Sequence, residues 1–225
     1  MQYKETYEKF WEEGRNTKFN DYVRNLILHY FFPITANKEK VCDVAGGAGI
    51  VAQWLQNRGY DVSLVEFSDK AVVEAKKRGI ENIYQQLVSG PGSLPFPDNY
   101  FDAVFFGDII EHLFDAESVL KEVKRILKDN GRLIISCPNI AYWRFRVYYF
   151  LDGDLRRVDV AKQKPWEQEH IRFFNIKILK EFLTQLNFTF FRYKGANDIW
   201  HSSLLAKLCP NLFAHTIISE FINKK

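Results

Sequence analysis

"VCDVAGGAGIVAQWL", residues 41–55, joins a short apolar run to a helix-periodic one through three closely spaced glycines. Lys40–Ala45 reads as a strand and Ile50–Arg58 as a helix, so Gly46, Gly47 and Gly49 occupy a strand-to-helix turn. Glycines so placed let the backbone approach a ligand closely, and the nature of that ligand decides the function. As bare letters, Gly47-x-Gly49-x-x-Ala52 fits a dinucleotide fingerprint, with Glu66 near the offset of a ribose-binding acid. Asp43 argues otherwise. It sits at the carboxyl end of the strand, where the ligand crevice of an open α/β sheet lies, and a carboxylate there repels a pyrophosphate by about 1 to 4 kcal/mol.

A ligand with an ammonium and a sulfonium is attracted instead, which describes S-adenosylmethionine. Glu66 at the end of the next strand can accept both ribose hydroxyls, and Phe67 can lie against the adenine face. One acid for each end of the ligand, with glycines between, suits the methyl donor better than a nicotinamide cofactor.

The flanking chain supports a sheet that carries such a turn. Strand-like runs at 61–66, 82–87, 102–107 and 131–137 alternate with helical patterns at 69–78 and 109–128, the signature of βαβ units around a buried parallel sheet. Tyr3 to Phe32 reads as a helical preface ended by Pro33. After Pro138 an aromatic-basic stretch precedes a helix at 176–186 and strands at 188–194 and 215–222. The expected fold is α/β, doubly wound, and the chain of 225 residues, 47% hydrophobic, suits one domain. Its parts are a helical segment at 1–37, a cofactor-binding core at 38–140 and an acceptor-side remainder at 141–225.

A net charge of +3 provides no global field for nucleic acid, and no nucleic-acid partner is expected. Residues 142–180 nevertheless hold nine Lys/Arg against five Asp/Glu. With Tyr142, Trp143, Phe145 and Phe150, the stretch 142–157 suits a ring-bearing or anionic acceptor, or contact with a membrane surface. The same residues would equally serve as core cover with arginines reaching out to water. Three cysteines, an odd number, and a start without an apolar signal core indicate a reducing, cytoplasmic setting. Oligomeric state is not legible.

"VCDVAGGAGIVAQWLQNRGYDVSLVEFS", "LPFPDNYFDAVFFGDIIEHL" and "VLKEVKRILKDNGRLIISCPN" resemble, in order, the motifs of class I S-adenosylmethionine-dependent methyltransferases, within the subgroup that includes small-molecule and quinone-type O-methyltransferases. The resemblance implies a seven-stranded sheet with a reversed pair at its end, S-adenosylmethionine as cofactor, S-adenosylhomocysteine as product, and a small-molecule acceptor. The family pattern D-x-G-x-G-x-G falls on Asp43, Ala45, Gly47 and Gly49, with alanine at the first glycine. An adenine-binding acid often found before "LPFPD" is replaced by "VSGPG", leaving Gly90 near that place. These two departures keep open a non-catalytic protein of the same fold.

Gly107 and Asp108 border the crevice, and "GDIIEHLFD" supplies the candidate base. On a helix Asp108 and His112 share a face, with Glu111 in reach. His112 then serves as the base, unless Asp108 merely caps the helix while Glu111 is solvated and His112 packs on the sheet. The resemblance associates such a cluster with a divalent cation, but one histidine and two carboxylates on one turn make a sparse donor set, and no metal is expected. His170 is a second candidate base, or orders the insertion. Arg15 is placed to reach the cofactor's carboxylate if the preface folds over as a lid; the preface serves equally as a dimer interface or as packing on the sheet's flank.

Overall fold

Apolar runs without polar alternation bury both faces of a strand, and a sheet made of them needs helices on each side. The structure, a computed structural model, describes residues 28–153, 170–196 and 203–225. Seven strands form one sheet in the order β3-β2-β1-β4-β5-β7-β6. They are β1 (Lys40–Val44), β2 (Asp61–Glu66), β3 (Ile83–Gln85), β4 (Phe101–Gly107), β5 (Leu127–Pro138), β6 (Phe188–Ala196) and β7 (Thr216–Asn223). Strands β1 to β5 pair in parallel, whereas β7 runs antiparallel to both β5 and β6. This is the expected Rossmann-like sheet with its reversed final pair.

The helices are α1 (Ile50–Gln56), α2 (Asp69–Lys77), α3 (Ala116–Ile126), α4 (Trp143–Asp152), α5 (Ile176–Gln185), α6 (Ser203–Leu208) and α7 (Pro210–Phe213). Period-two alternation sends neighbouring β4 side chains to opposite cores. Phe106 joins Leu120, Val123, Leu179 and Leu183 from α3 and α5. Phe105 joins Leu55, Leu64 and Ile134 on the other face. Leu28, Phe31 and Phe32 complete that second core, with Phe32 edge-on to Tyr60 and Phe105. The described end of the helical preface therefore packs on the sheet's flank. The lid expected of residues 3–27, and Arg15 with it, lies outside the described residues.

Three local readings change. The long helix expected over 109–128 is broken: a 3-10 turn spans Ile110–His112, Leu113 is extended, and Asp115 starts α3 by accepting the Ser118 amide at 3.0 Å. An aspartate three residues before a free amide offers the backbone a cap, so the helix restarts there. Its C-terminal end also comes early, because Leu127 already pairs with Phe101 before a bulge leads into the rest of β5. Two short helices, α6 and α7, fill the interval before β7 where no element is expected.

Candidate active site

In the described sheet, β2, β1 and β4 lie side by side and point their carboxyl ends the same way. Asp43, Glu66 and Gly107 thus arrive at one end of the sheet from three adjacent strands. Asp43 and Glu66 are each only 1% exposed. Burial, and then the neighbouring Asp43 carboxylate, push the Cys42 thiol well up, so that sulfur stays protonated.

The turn after β1 is held by its own backbone. Gly49 donates to the Gly46 carbonyl at 3.0 Å, and Gly46 donates to Val65 at 3.3 Å. Gly46 must be glycine, since a Cβ there would collide with the Asp43 carboxylate and the Leu64 side chain. Ala45, Gly47 and Gly49 all have positive φ, at 54°, 57° and 73°. Ala45 therefore adopts the left-handed conformation that the family's glycine favours, and the loop keeps its path at a cost of about 1 to 2 kcal/mol.

Glu66 ties this loop to the next strand. Its Oε2 accepts the Gly47 amide at 2.9 Å, and its Oε1 accepts the amides of Phe67 and Ser68, both at 2.8 Å. A buried carboxylate holding three amides fixes the glycine loop against the end of β2. Phe67 beside it is half-buried. Gly90 is buried with φ at 138°, and its carbonyl accepts the Ser93 hydroxyl at 2.6 Å. Asp43, Glu66, Phe67 and the open glycine turn fit the methyl donor: opposite charge for its cationic end, an acid and a ring for the nucleoside.

Gly107 and Asp108 leave the end of β4 differently from the helical expectation. Asp108 is left-handed, at φ 51°, and precedes the 3-10 turn rather than starting an α-helix. Its amide donates to the Ser136 carbonyl at 3.0 Å and its carboxylate accepts the Ser136 hydroxyl at 2.6 Å. Asp108 is thus drawn toward β5, and the side chain that starts α3 is Asp115. Glu111 is buried rather than solvated, at 2% exposure.

The fold adds what one turn alone lacks. His170 arrives beside His112, ring centroids 4.5 Å apart and nearly perpendicular. The amides of Ile171 and Arg172 donate to the Glu111 carbonyl at 3.0 and 3.2 Å, which fastens the returning chain to the 3-10 turn. One donor atom each from Glu111, His112 and His170 lies within 4.8 Å of the others. Two imidazoles and a carboxylate suit either proton transfer or a divalent cation. Nearby, burial first, and then the Glu111 and Asp108 carboxylates, raise the Cys137 thiol, leaving it inert. Sequence reading named His112 and His170 separately; nothing in their 58-residue separation signals that they meet.

Fold and site together point to a class: an α/β domain whose sheet brings two buried acids and a glycine turn to the carboxyl ends of β1 and β2. A methyltransferase-domain family matches residues 42–135. The ubiquinone/menaquinone biosynthesis C-methyltransferase UbiE of Desulfotalea psychrophila is 33% identical over 168 residues, covering 69% of this chain and 68% of that one. The demethylmenaquinone methyltransferase of Thermotoga maritima is 32% identical over 142 residues, 61% of this chain and 58% of that one. In structure, a 1,6-didemethyltoxoflavin-N1-methyltransferase of Burkholderia thailandensis with bound S-adenosylhomocysteine superposes at a TM-score of 0.67, 16% identity, covering 99% of this chain and 87% of that one. A SAM-dependent methyltransferase of Archaeoglobus fulgidus gives 0.63 at 16% identity, covering 91% and 96%. The chain belongs to the class I S-adenosylmethionine-dependent methyltransferases, and S-adenosylmethionine is its methyl donor.

Proposed function

We propose that this methyltransferase acts on a hydroxyl-bearing ring, of quinol or phenol type, with His112 accepting the hydroxyl proton. The supporting observation is the Glu111, His112 and His170 cluster one turn beyond the end of β4. S-adenosylmethionine supplies a methyl group on a sulfonium, with a neutral thioether as leaving group. What the chain itself must do is hold that donor, orient the acceptor and remove a proton. In this reading Asp43 holds the ammonium and Glu66 the ribose, while Phe67 and the backbone at Gly90 flank the adenine. Such positioning contributes on the order of 7 to 11 kcal/mol.

Removing a phenolic proton makes both the oxygen and the adjacent ring carbon nucleophilic, so one base serves transfer to either atom. That matters because relatives of this chain carry both kinds of name: UbiE is a C-methyltransferase, and a ubiquinone biosynthesis O-methyltransferase of Aeromonas salmonicida is 29% identical over 105 residues. The donor set of Glu111, His112 and His170 also fits a divalent cation, which would polarise the acceptor hydroxyl as a Lewis acid.

The test is turnover with methyl-labelled S-adenosylmethionine against quinol, phenol, sugar and carboxylic acid acceptors, with carbon NMR of the product. A methyl ether or a ring methyl on a phenolic acceptor supports the reading. Methylation confined to sugars or carboxylic acids, or none while the cofactor binds, overturns it.

A further inference from the structure

We propose that the crevice end of the molecule docks on an anionic lipid surface, with α4 as its main contact. The argument begins with where exposed apolar side chains gather. Pro138 at the end of β5 and Ala196 at the end of β6 both lie in register with Thr216 at the start of β7. The helices that follow these strand ends, α4 after β5 and α6 and α7 after β6, therefore sit at one end of the sheet. It is the end where β1 and β2 present the cofactor site.

The inner side of α4 is fixed: Tyr142 and Phe145 pack edge-on against His215, with centroids 5.8 and 5.4 Å away. Asn139 secures the neighbouring α7 by donating to the carbonyls of Asn211 and Ala214. On the outer side Trp143, Val147 and Phe150 stand at i, i+4 and i+7, one stripe along the helix. Phe150 is 85% exposed and Leu151 68%. Leu208 of α6 and Phe114, just past the 3-10 turn, are 74% and 82% exposed. Protruding apolar tips on several separate segments make a poor flat protein interface and a good set of anchors for an acyl boundary.

Charge distinguishes the partner. Arg144 and Arg146 stand on α4, and Arg172 reaches the Phe114 tip by donating to its carbonyl; the exposed acid beside that tip is Asp115. Arg146 stands exposed beside the apolar stripe, its Nε donating back to the Ala141 carbonyl. Arginines interleaved with Trp, Phe and Leu on one helix favour anionic headgroups over a zwitterionic surface. The described helices are too short and too polar to cross a bilayer, so the contact lies on the surface.

Flotation of the full chain with vesicles of phosphatidylcholine, with and without phosphatidylglycerol, tests this without any acceptor. The expected result is binding to the anionic vesicles, reduced about ten-fold or more without phosphatidylglycerol or at high salt. The double variant Phe150→Glu with Leu151→Glu loses binding by about ten-fold or more, while calorimetric affinity for S-adenosylhomocysteine stays unchanged and reports an intact fold. Absence of wild-type binding overturns the proposal, as does a double variant that still floats. A concentration-dependent dimer that the double variant converts to monomer also overturns it, and assigns the face to a second copy. Failure of methyl transfer in the acceptor screen does not bear on flotation, so the two readings fall separately.

Discussion

The two halves of the molecule build their surfaces from different materials. Residues 40–68, which we propose hold the cofactor, are shaped by backbone: amides of Gly47, Phe67 and Ser68 converge on Glu66, and left-handed residues turn the loop. Beyond Pro138 the same end of the sheet is built from side chains on helices and returning chain, with His170 brought to His112 from far along the chain. Backbone geometry demands particular residue types at particular spacings, and so leaves a motif. Side-chain surfaces tolerate many solutions and leave composition only.

The strongest way to break this contrast is at the histidines. If the acceptor half is chemistry carried by side chains, His112→Ala lowers turnover on the order of 10²- to 10⁴-fold while affinity for S-adenosylhomocysteine stays within a few-fold. Turnover that survives, measured on whichever acceptor the screen finds, removes His112 from the mechanism. A loss of turnover accompanied by a fall in thermal midpoint and weaker binding of every ligand assigns it a packing role instead. Restoration of a chelator-treated enzyme by added divalent cation identifies the same cluster as a metal site.

Next comes the loop itself. Gly46→Ala puts a Cβ against the Asp43 carboxylate and Leu64, in a place where neither the strand end nor the side chain has room. Overpacking of this kind costs about 1 to 3 kcal/mol. The expected result is cofactor affinity weakened by about ten-fold or more, since the side chain displaced first is Asp43, the acid we propose for the ligand's cationic end. Calorimetry showing unaltered affinity would mean the loop relaxes freely, and the backbone account of the site would fail.

How much of this was readable beforehand follows the same division. The strand ends at Asp43, Glu66 and Gly107 and the order of the parallel units were legible because burial on both faces forces continuous apolar runs. The segment 109–128 was misread because Leu113 and Phe114 continue a helical apolar pattern, whereas Leu113 is extended and the capping bond from Ser118 to Asp115 restarts the helix. Ser136 holding Asp108 and the amides of Ile171 and Arg172 on Glu111 were invisible, since such bonds join residues with no local signal of one another. The placement of α7 depends on Asn139, a buried amide whose partners lie 72 and 75 residues away.

Glu66 tests whether one residue can belong to both fold and ligand. If Glu66 accepts the ribose hydroxyls as proposed, Glu66→Ala removes a charge-assisted hydrogen bond and weakens cofactor binding by about 1.5 to 3 kcal/mol. Because three backbone amides also rest on this carboxylate, the variant is expected to lose stability as well as affinity. Glu66→Gln keeps two polar atoms but replaces one acceptor oxygen with a donor, so it recovers part of the stability and less of the affinity. Equal recovery of both, by thermal denaturation and calorimetry side by side, would make Glu66 a structural clasp alone.

The smallest expected effect is the most direct probe of a backbone-built site. Ala45 sits at φ 54° where the family pattern has glycine, so its Cβ is strained in the left-handed region. Ala45→Gly relieves that strain but also frees the unfolded chain, and these oppose each other. Strain of about 1 to 2 kcal/mol against an entropic cost of about 0.4 to 1 kcal/mol leaves a net gain of between about zero and about 1.6 kcal/mol. The thermal midpoint therefore rises slightly, and cofactor affinity holds or improves, since the turn already follows the path a glycine would take. A fall in stability would show that the alanine methyl makes a contact worth more than the strain it causes. A fall in affinity with stability unchanged would show that the stiffer alanine pre-organises the loop, making the departure from the family pattern a feature of ligand binding rather than a tolerated defect.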